Sequence, residues 1–300
     1  MTRSYQILIV GGGAAGLATA ASLHNRDRSL EIAIVEPADK HYYQPGWTMV
    51  GAGIFQKEET CRDMDSVWPA GVERIRNAVK SFDPKNNTVT LNDKTKIGYE
   101  ILIVASGLKL DWDAIEGLTD SLGHNGVTSN YNYDLAPYTW QLVQEFQGKD
   151  AIFTMPGMPI KCAGAPQKAM YLSCDHWQKT GRLSGMNVSF CNAGPVLFGC
   201  ATYVPPLMKY VDKYGINLDF GHNLTKIDGA SKTAWFKVTK EGEEPQMIER
   251  KFDMIHVCPP QCAPDFISKS PLANAGGWVD VDQETLQHTG FPNVFSLGAV

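Results

Sequence analysis

The chain has 300 residues, 43% of them hydrophobic and 20% charged, which is enough for two domains of ordinary size with full cores. A formal net charge of -5 supplies no basic stripe for a phosphate backbone and excludes nucleic acid as a partner. The longest apolar runs, such as 101–105, are strand-sized, so no membrane-spanning helix is expected.

In chain order, residues 5–10 form a short apolar run, followed by glycines and an Ala-rich helical stretch over 14–23. A second apolar run covers 31–36, completing a βαβ unit with a right-handed crossover. The N-terminus enters its first strand directly, without a signal or transit peptide, so a soluble chain is expected. Strands over 77–82 and 88–91 flank a turn at 84–87, and a buried-type strand follows at 101–105. A second unit starts near Asp150, with strands over 151–155 and 188–192, helices over 167–179 and 206–214, and a further strand over 216–220. A polar hairpin region over 226–250 leads to a strand at 254–258, and a short strand at 293–297 returns to the first pattern. The expected fold is α/β, with two Rossmann-like dinucleotide-binding domains. The first is discontinuous, over 1–115 and 266–300, and the second fills 116–265.

Gly11-Gly12-Gly13-Ala14-Ala15-Gly16 satisfies G-x-G-x-x-G between a strand and a helix. Gly11 permits the tight turn, Gly13 lets a pyrophosphate approach the backbone, and Gly16 lets helix and strand pack closely. The phosphates would sit on free N–H groups at the helix N-terminus. Glu36 ends the second strand, where its carboxylate can accept from a ribose 2′-hydroxyl and would repel a 2′-phosphate. FAD and NAD use the same cradle. The strand ending in Ala105-Ser106-Gly107 and the segment 291–298, ending in Gly298, resemble those of two-domain flavoproteins and favour FAD.

The corresponding turn of the second domain reads Pro156-Gly157-Met158-Pro159-Ile160-Lys161-Cys162-Ala163-Gly164-Ala165-Pro166. Prolines remove backbone donors and fix φ, so a pyrophosphate nest is not expected there, and NAD(P)H is disfavoured as reductant. The loop offers a cysteine instead. Cys162 is flanked by Lys161 and Lys168 just before a helix, a setting that favours a thiolate able to attack sulfur or a flavin ring.

Seven cysteines with no CxxC pair form neither a disulfide framework nor a zinc site, and no metal is expected. Cys191 and Cys258 fit buried strands, Cys174 a helix face turned to the core, and Cys200 is the best local candidate for a second thiol. His24, His124, His176 and His222 read as surface or helix residues, His41 as equally suited to packing or proton transfer, and Trp47, Trp68, Trp112 and Trp140 as core or interface residues.

Several of these stretches together resemble the sulfide:quinone oxidoreductases, in particular the mitochondrial-type branch. The matching segments are His41-Tyr42-Tyr43-Gln44-Pro45-Gly46-Trp47, Lys161-Cys162-Ala163-Gly164-Ala165-Pro166-Gln167-Lys168 and the run 276–288. The resemblance extends over about residues 5–298. It implies FAD contacts at Ala14, Ala15, Glu36, Gln44 and, beside the adenine, Val79, with Cys162 carrying a persulfide. The implied reaction oxidises hydrogen sulfide and passes two electrons via FAD to a quinone. The sulfane sulfur leaves on glutathione, sulfite or a polysulfide. Family members continue beyond the equivalent of Val300 with a part that supplies a second redox cysteine, the quinone pocket and membrane-docking helices. Where the family has Gly-Asp, this chain has Gly298-Ala299. The resemblance implies peripheral attachment to a bacterial cytoplasmic or mitochondrial inner membrane through that C-terminal part, which is absent here. The other readings are a flavocytochrome-type sulfide dehydrogenase subunit, an NADH:quinone dehydrogenase and a non-catalytic, truncated flavoprotein.

Overall fold

The apolar run at the N-terminus forms the strand Arg3–Val10, which pairs in parallel with Ile32–Val35 on one side and Lys96–Val104 on the other. Its side chains alternate between two faces, as the pleat requires. Leu8 and Val10 join Ala33, Val35, Leu102, Val104 and Val294 in one core. Ile7 and Ile9 join Ile32, Ile34 and Ile103 in another, which the helix Ala14–Arg26 covers with Leu17 and Ala20. A sheet buried on both faces reads in sequence as an unbroken apolar run, which is why these strands show no polar alternation.

The computed structural model describes residues 3–300, and these fall into two units. The first comprises Met1–Tyr42, Cys61–Lys109 and Cys262–Val300. Its seven-stranded sheet runs Glu73–Ile75, Ile32–Val35, Arg3–Val10, Lys96–Val104, Thr88–Leu91 and Val79–Asp83, with Val294–Ser296 also pairing to Lys96–Val104. The turn between the two antiparallel strands includes Asn87 at φ 51°, a left-handed position that asparagine tolerates.

The second unit comprises Tyr43–Thr60 and Leu110–Gln261. Its five-stranded sheet is all parallel, in the order Val127–Thr128, Met254–His256, Asp150–Met155, Asn187–Asn192, Asn217–Phe220. Alternation sorts the side chains here too. Phe153, Met155, Val188 and Phe190 pack with Met170, Cys174 and Trp177 of the helix Ala165–Lys179. Ile152, Cys191 and Ile255 pack instead with Leu224, Ile227 and Phe236. Those last residues belong to an antiparallel meander, His222–Asp228, Thr233–Val238 and Gln246–Lys251. The segment expected to be a polar hairpin is therefore three strands, one face of which closes the core.

Contacts place the unit boundaries at 109/110 and 261/262, against the expected 115/116 and 265/266. They also place 43–60 in the second unit, because Trp47 and Val50 of the helix Gly46–Val50 pack against Ala136. Among the described residues, no helix is long and apolar enough to cross a membrane.

His256 ends its strand fully buried, its Nε2 accepting the Asn130 N–H at 2.9 Å and its ring stacked on Phe153 at 5.9 Å. Burial pushes its pKa down from 6.5 to about 4. Between those two values the unfolded chain takes up a proton that the folded chain refuses. The stability is therefore fully present above pH 6.5 and falls by up to about 3 kcal/mol as the pH drops toward 4. Urea unfolding at pH 7 and pH 4.5 is expected to show His256→Gln losing about 2 kcal/mol less than wild type over that interval. Equal losses would show that His256 already carries its proton when folded.

Candidate functional site

Each unit presents one loop of chemical interest where a central parallel strand gives way to its helix. In the first unit only Gly11, Gly12 and Gly13 separate the strand Arg3–Val10 from the helix Ala14–Arg26. Gly11 has φ 105°, and a Cβ there would lie 2.4 Å from the Ala105 carbonyl oxygen. The strand end that carries Gly107 thus crosses directly against it. A Cβ on Gly16 would fall 1.9 Å from the Gly11 carbonyl oxygen, so only glycine lets the helix sit this close to the turn. Around Gly13 the space is open, with no atom within 4 Å of a Cβ placed there.

The helix Ala14–Arg26 has no side-chain cap and no acidic residue in its first turn. Its opening N–H groups lie beyond the reach of the helical hydrogen-bond ladder, and their dipole favours an anion. The Glu36 carboxylate accepts the Gly12 N–H at 2.6 Å and the Ala38 N–H at 2.7 Å. It therefore braces the glycine turn as well as standing at the end of its strand, and each oxygen retains a further lone pair. Gly298, at φ 92°, lies against this helix start, a Cβ there coming 3.3 Å from the Ala15 methyl. Open space, uncapped amides and a braced carboxylate fit the pyrophosphate and ribose of FAD. Val79 begins the strand Val79–Asp83 and is buried in the core beside Val10 and Val35.

The second unit differs at the equivalent place. Residues 156–164, nine instead of three, separate the strand Asp150–Met155 from the helix Ala165–Lys179. Asn192, at the end of the next strand, spends its amide locally, donating to the Val196 carbonyl and accepting the Gly194 N–H, both at 2.8 Å. Cys162 stands exposed in the long loop with its backbone at φ 54°, a left-handed conformation uncommon for a residue with a Cβ. The Lys168 ammonium lies 3.8 Å from its sulfur. That ammonium is placed to pair with an anion carried on the sulfur.

Around this loop the fold assembles residues far apart in sequence. The Lys161 ammonium donates to Gln44 Oε1 and stands 5.5 Å from the centroid of the Tyr131 ring and 5.8 Å from that of Trp47. Burial lowers the Lys161 pKa, against the opposing effect of Cys162 and Cys258. The Lys161 N–H donates to Gln261 Oε1 at 2.6 Å, and the Tyr131 hydroxyl lies 3.3 Å from both the Lys161 and Cys162 carbonyl oxygens. Cys258 is buried beneath, its thiol pushed up to about 12 by that burial. Cys174 and Cys191 are buried as expected. Cys200 is exposed in a neighbouring loop, which is tied to the cysteine helix where Gln167 Nε2 donates to the Leu197 carbonyl at 2.7 Å.

Of the residues singled out from sequence, Gly11, Gly13, Ala14, Ala15, Gly16, Glu36, Gly107 and Gly298 belong to the glycine turn and the segments that build the first unit around it. Gln44 lies with Cys162 in the second. Sequence reasoning passed over Tyr131 and Gln261. Tyr131 is 31 residues from the loop it touches and Gln261 is 100, and neither carries a local motif.

A family model described as pyridine nucleotide-disulphide oxidoreductase matches residues 5–138. The chain is 43% identical over 296 residues to a protein of Dictyostelium discoideum named sulfide:quinone oxidoreductase, mitochondrial, covering 98% of this chain and 64% of that one. It is 35% identical over 314 residues to the protein of the same name from Schizosaccharomyces pombe, covering 98% and 68%. The solved sulfide:quinone oxidoreductase of Aquifex aeolicus shares the fold, with a TM-score of 0.80 at 21% identity over 99% of this chain and 68% of that one. The chain thus spans about two thirds of the length of these relatives. Full-length similarity of this chain at these identities, together with the glycine cradle and the cysteine loop, makes it a member of the sulfide:quinone oxidoreductase family.

Proposed function

We propose that this chain oxidises hydrogen sulfide at Cys162 and delivers two electrons through FAD to a quinone. The observation that carries this reading is the loop 156–164. The pyrophosphate turn of a nucleotide domain is replaced there by an exposed cysteine with an ammonium 3.8 Å from its sulfur. Gly11, Gly13, Ala14, Ala15, Gly16 and Glu36 would hold the ADP half of FAD, and Gly107, Gly298, Gln44 and Val79 are proposed as further contacts. When bound, FAD supplies the two-electron acceptor that joins sulfide to quinone.

Joining hydrosulfide to the Cys162 thiolate gives a persulfide and releases one proton and two electrons, so the thiol chemistry needs such an acceptor. Lys168, 3.8 Å from the sulfur, is placed to pair with the anionic sulfur before and after that bond forms. Lys161 stays with Gln44 between its aromatic neighbours. The outer sulfur then leaves on glutathione, sulfite or a polysulfide. The lipid-soluble quinone requires access to a membrane surface, so peripheral attachment to a bacterial cytoplasmic or mitochondrial inner membrane belongs to this proposal.

Two measurements test it. Gly16→Ala is expected to retain native far-UV circular dichroism while losing bound flavin, read as the 450 nm absorbance per protein, because its methyl cannot fit against the Gly11 carbonyl. Full flavin content in that variant would remove the cradle from the proposal. Anaerobic sulfide added to the purified protein is expected to bleach the flavin bands within the mixing experiment, and at least ~100-fold more slowly in Cys162→Ser, in line with loss of a covalent nucleophile. Bleaching by NADH and not by sulfide would identify a nucleotide dehydrogenase instead.

A further inference from the structure

We propose that Tyr131 is the positioning residue for the reactive thiol, holding the 161–162 backbone so that the Cys162 sulfur stays beside Lys168. The inference rests on the reading of Cys162 as the reactive cysteine and extends it to a residue distant in sequence.

A non-glycine residue held at φ 54° is strained and persists only where the surroundings enforce it. Side chains of two residues, Gln261 and Tyr131, act on this short segment. Gln261 Oε1 takes the Lys161 N–H at 2.6 Å, which fixes the segment from its amide side. The single Tyr131 hydroxyl lies 3.3 Å from the Lys161 carbonyl oxygen and 3.3 Å from the Cys162 carbonyl oxygen. One proton shared among these two acceptors and the neighbouring Cys258 sulfur makes no single bond strong, but it ties both carbonyls to one rigid point. The face of the same ring lies 5.5 Å from the Lys161 ammonium, a cation–π distance.

Tyr131 is itself rigid. It is 4% exposed and belongs to the core cluster containing Phe153, Ala165 and Met170. Burial raises its pKa, so the phenol keeps its proton and remains a donor. The Cys162 carbonyl also takes the Ala165 N–H at 2.7 Å, the turn that opens the helix bearing Lys168. Tyr131 therefore holds the point from which both the thiol and its ammonium partner are oriented.

The test uses neither sulfide turnover nor flavin reduction, so it can fail independently of the proposed function. Cys162 is alkylated with iodoacetate and with iodoacetamide at one pH, and the rates at each cysteine are read by peptide mass spectrometry. An ammonium beside the sulfur draws the anionic reagent, so the iodoacetate-to-iodoacetamide rate ratio reports the placement of Cys162 against Lys168. Exposed Cys200 serves as the internal reference, and labelling at buried Cys191 measures any unfolded fraction, which is subtracted.

In Tyr131→Phe, which removes only the hydroxyl, the ratio at Cys162 is expected to fall at least threefold while that at Cys200 stays constant. Tyr131→Met, which also removes the ring beside Lys161, is expected to lower it at least as far. Lys168→Met sets the floor. An unchanged ratio at Cys162 in both Tyr131 variants, with Lys168→Met lowering it, would overturn the proposal. Equal falls at Cys162 and Cys200 would also overturn it, because general loosening would then account for the change.

Discussion

Parallel strands cannot be joined by tight turns, and each must be followed by a crossover that returns the chain to the opposite end of the sheet. Both units are built around such strands, and the site chemistry follows from that constraint. The strands Arg3–Val10 and Asp150–Met155 are each paired on both sides in parallel. Their carboxyl ends are where the backbone leaves the sheet and where N–H groups of the next helix become available. Open α/β sheets bind ligands at such edges for this reason. The glycine turn and the cysteine loop occupy equivalent positions in two copies of one architecture.

The two copies then diverge by what fills the turn. Three glycines bring strand and helix so close that the Gly11 carbonyl excludes any side chain at Gly16, and the anion-binding amides stay open. Nine residues separate strand and helix in the second copy, and they carry an exposed cysteine. The same fold thereby offers an anion-binding turn in one unit and a thiol beside an ammonium in the other. The long loop also needs anchoring that the short one does not. Its backbone bonds go to Tyr131 and Gln261, where those of the glycine turn go to Glu36.

Buried polar groups mark where this anchoring occurs. His256 remains neutral to accept the Asn130 N–H, and Asn130 directly precedes Tyr131, so the strand end beneath the thiol loop is held by hydrogen bonds as well as by packing. Cys258 sits in the same region as a protonated, buried thiol, chemically distinct from the exposed Cys162. Burial sets Cys258 apart, since a desolvated thiol resists ionisation.

Much of this was legible in the sequence, because it depends on residues close together in the chain. Apolar runs of strand length, the spacing of Gly11, Gly13 and Gly16, and the placement of Glu36 all encode a βαβ unit through local backbone requirements. The prolines of 156–166 encode the loss of the second cradle in the same way. The cysteine motif also marked Cys162, which the structure leaves exposed beside Lys168. The tertiary structure decided what depends on pairing between distant segments. The meander of 222–251 buries one face only because Leu224, Ile227 and Phe236 find Ile152 and Ile255 across the core. Segment 43–60 joins the second unit because Trp47 packs there, which brings Gln44 to Lys161. Tyr131 and Gln261 reach the thiol loop across separations of 31 and 100 residues. No periodicity or local spacing records such contacts, because they exist only once the parallel sheet has brought its strand ends to a common edge.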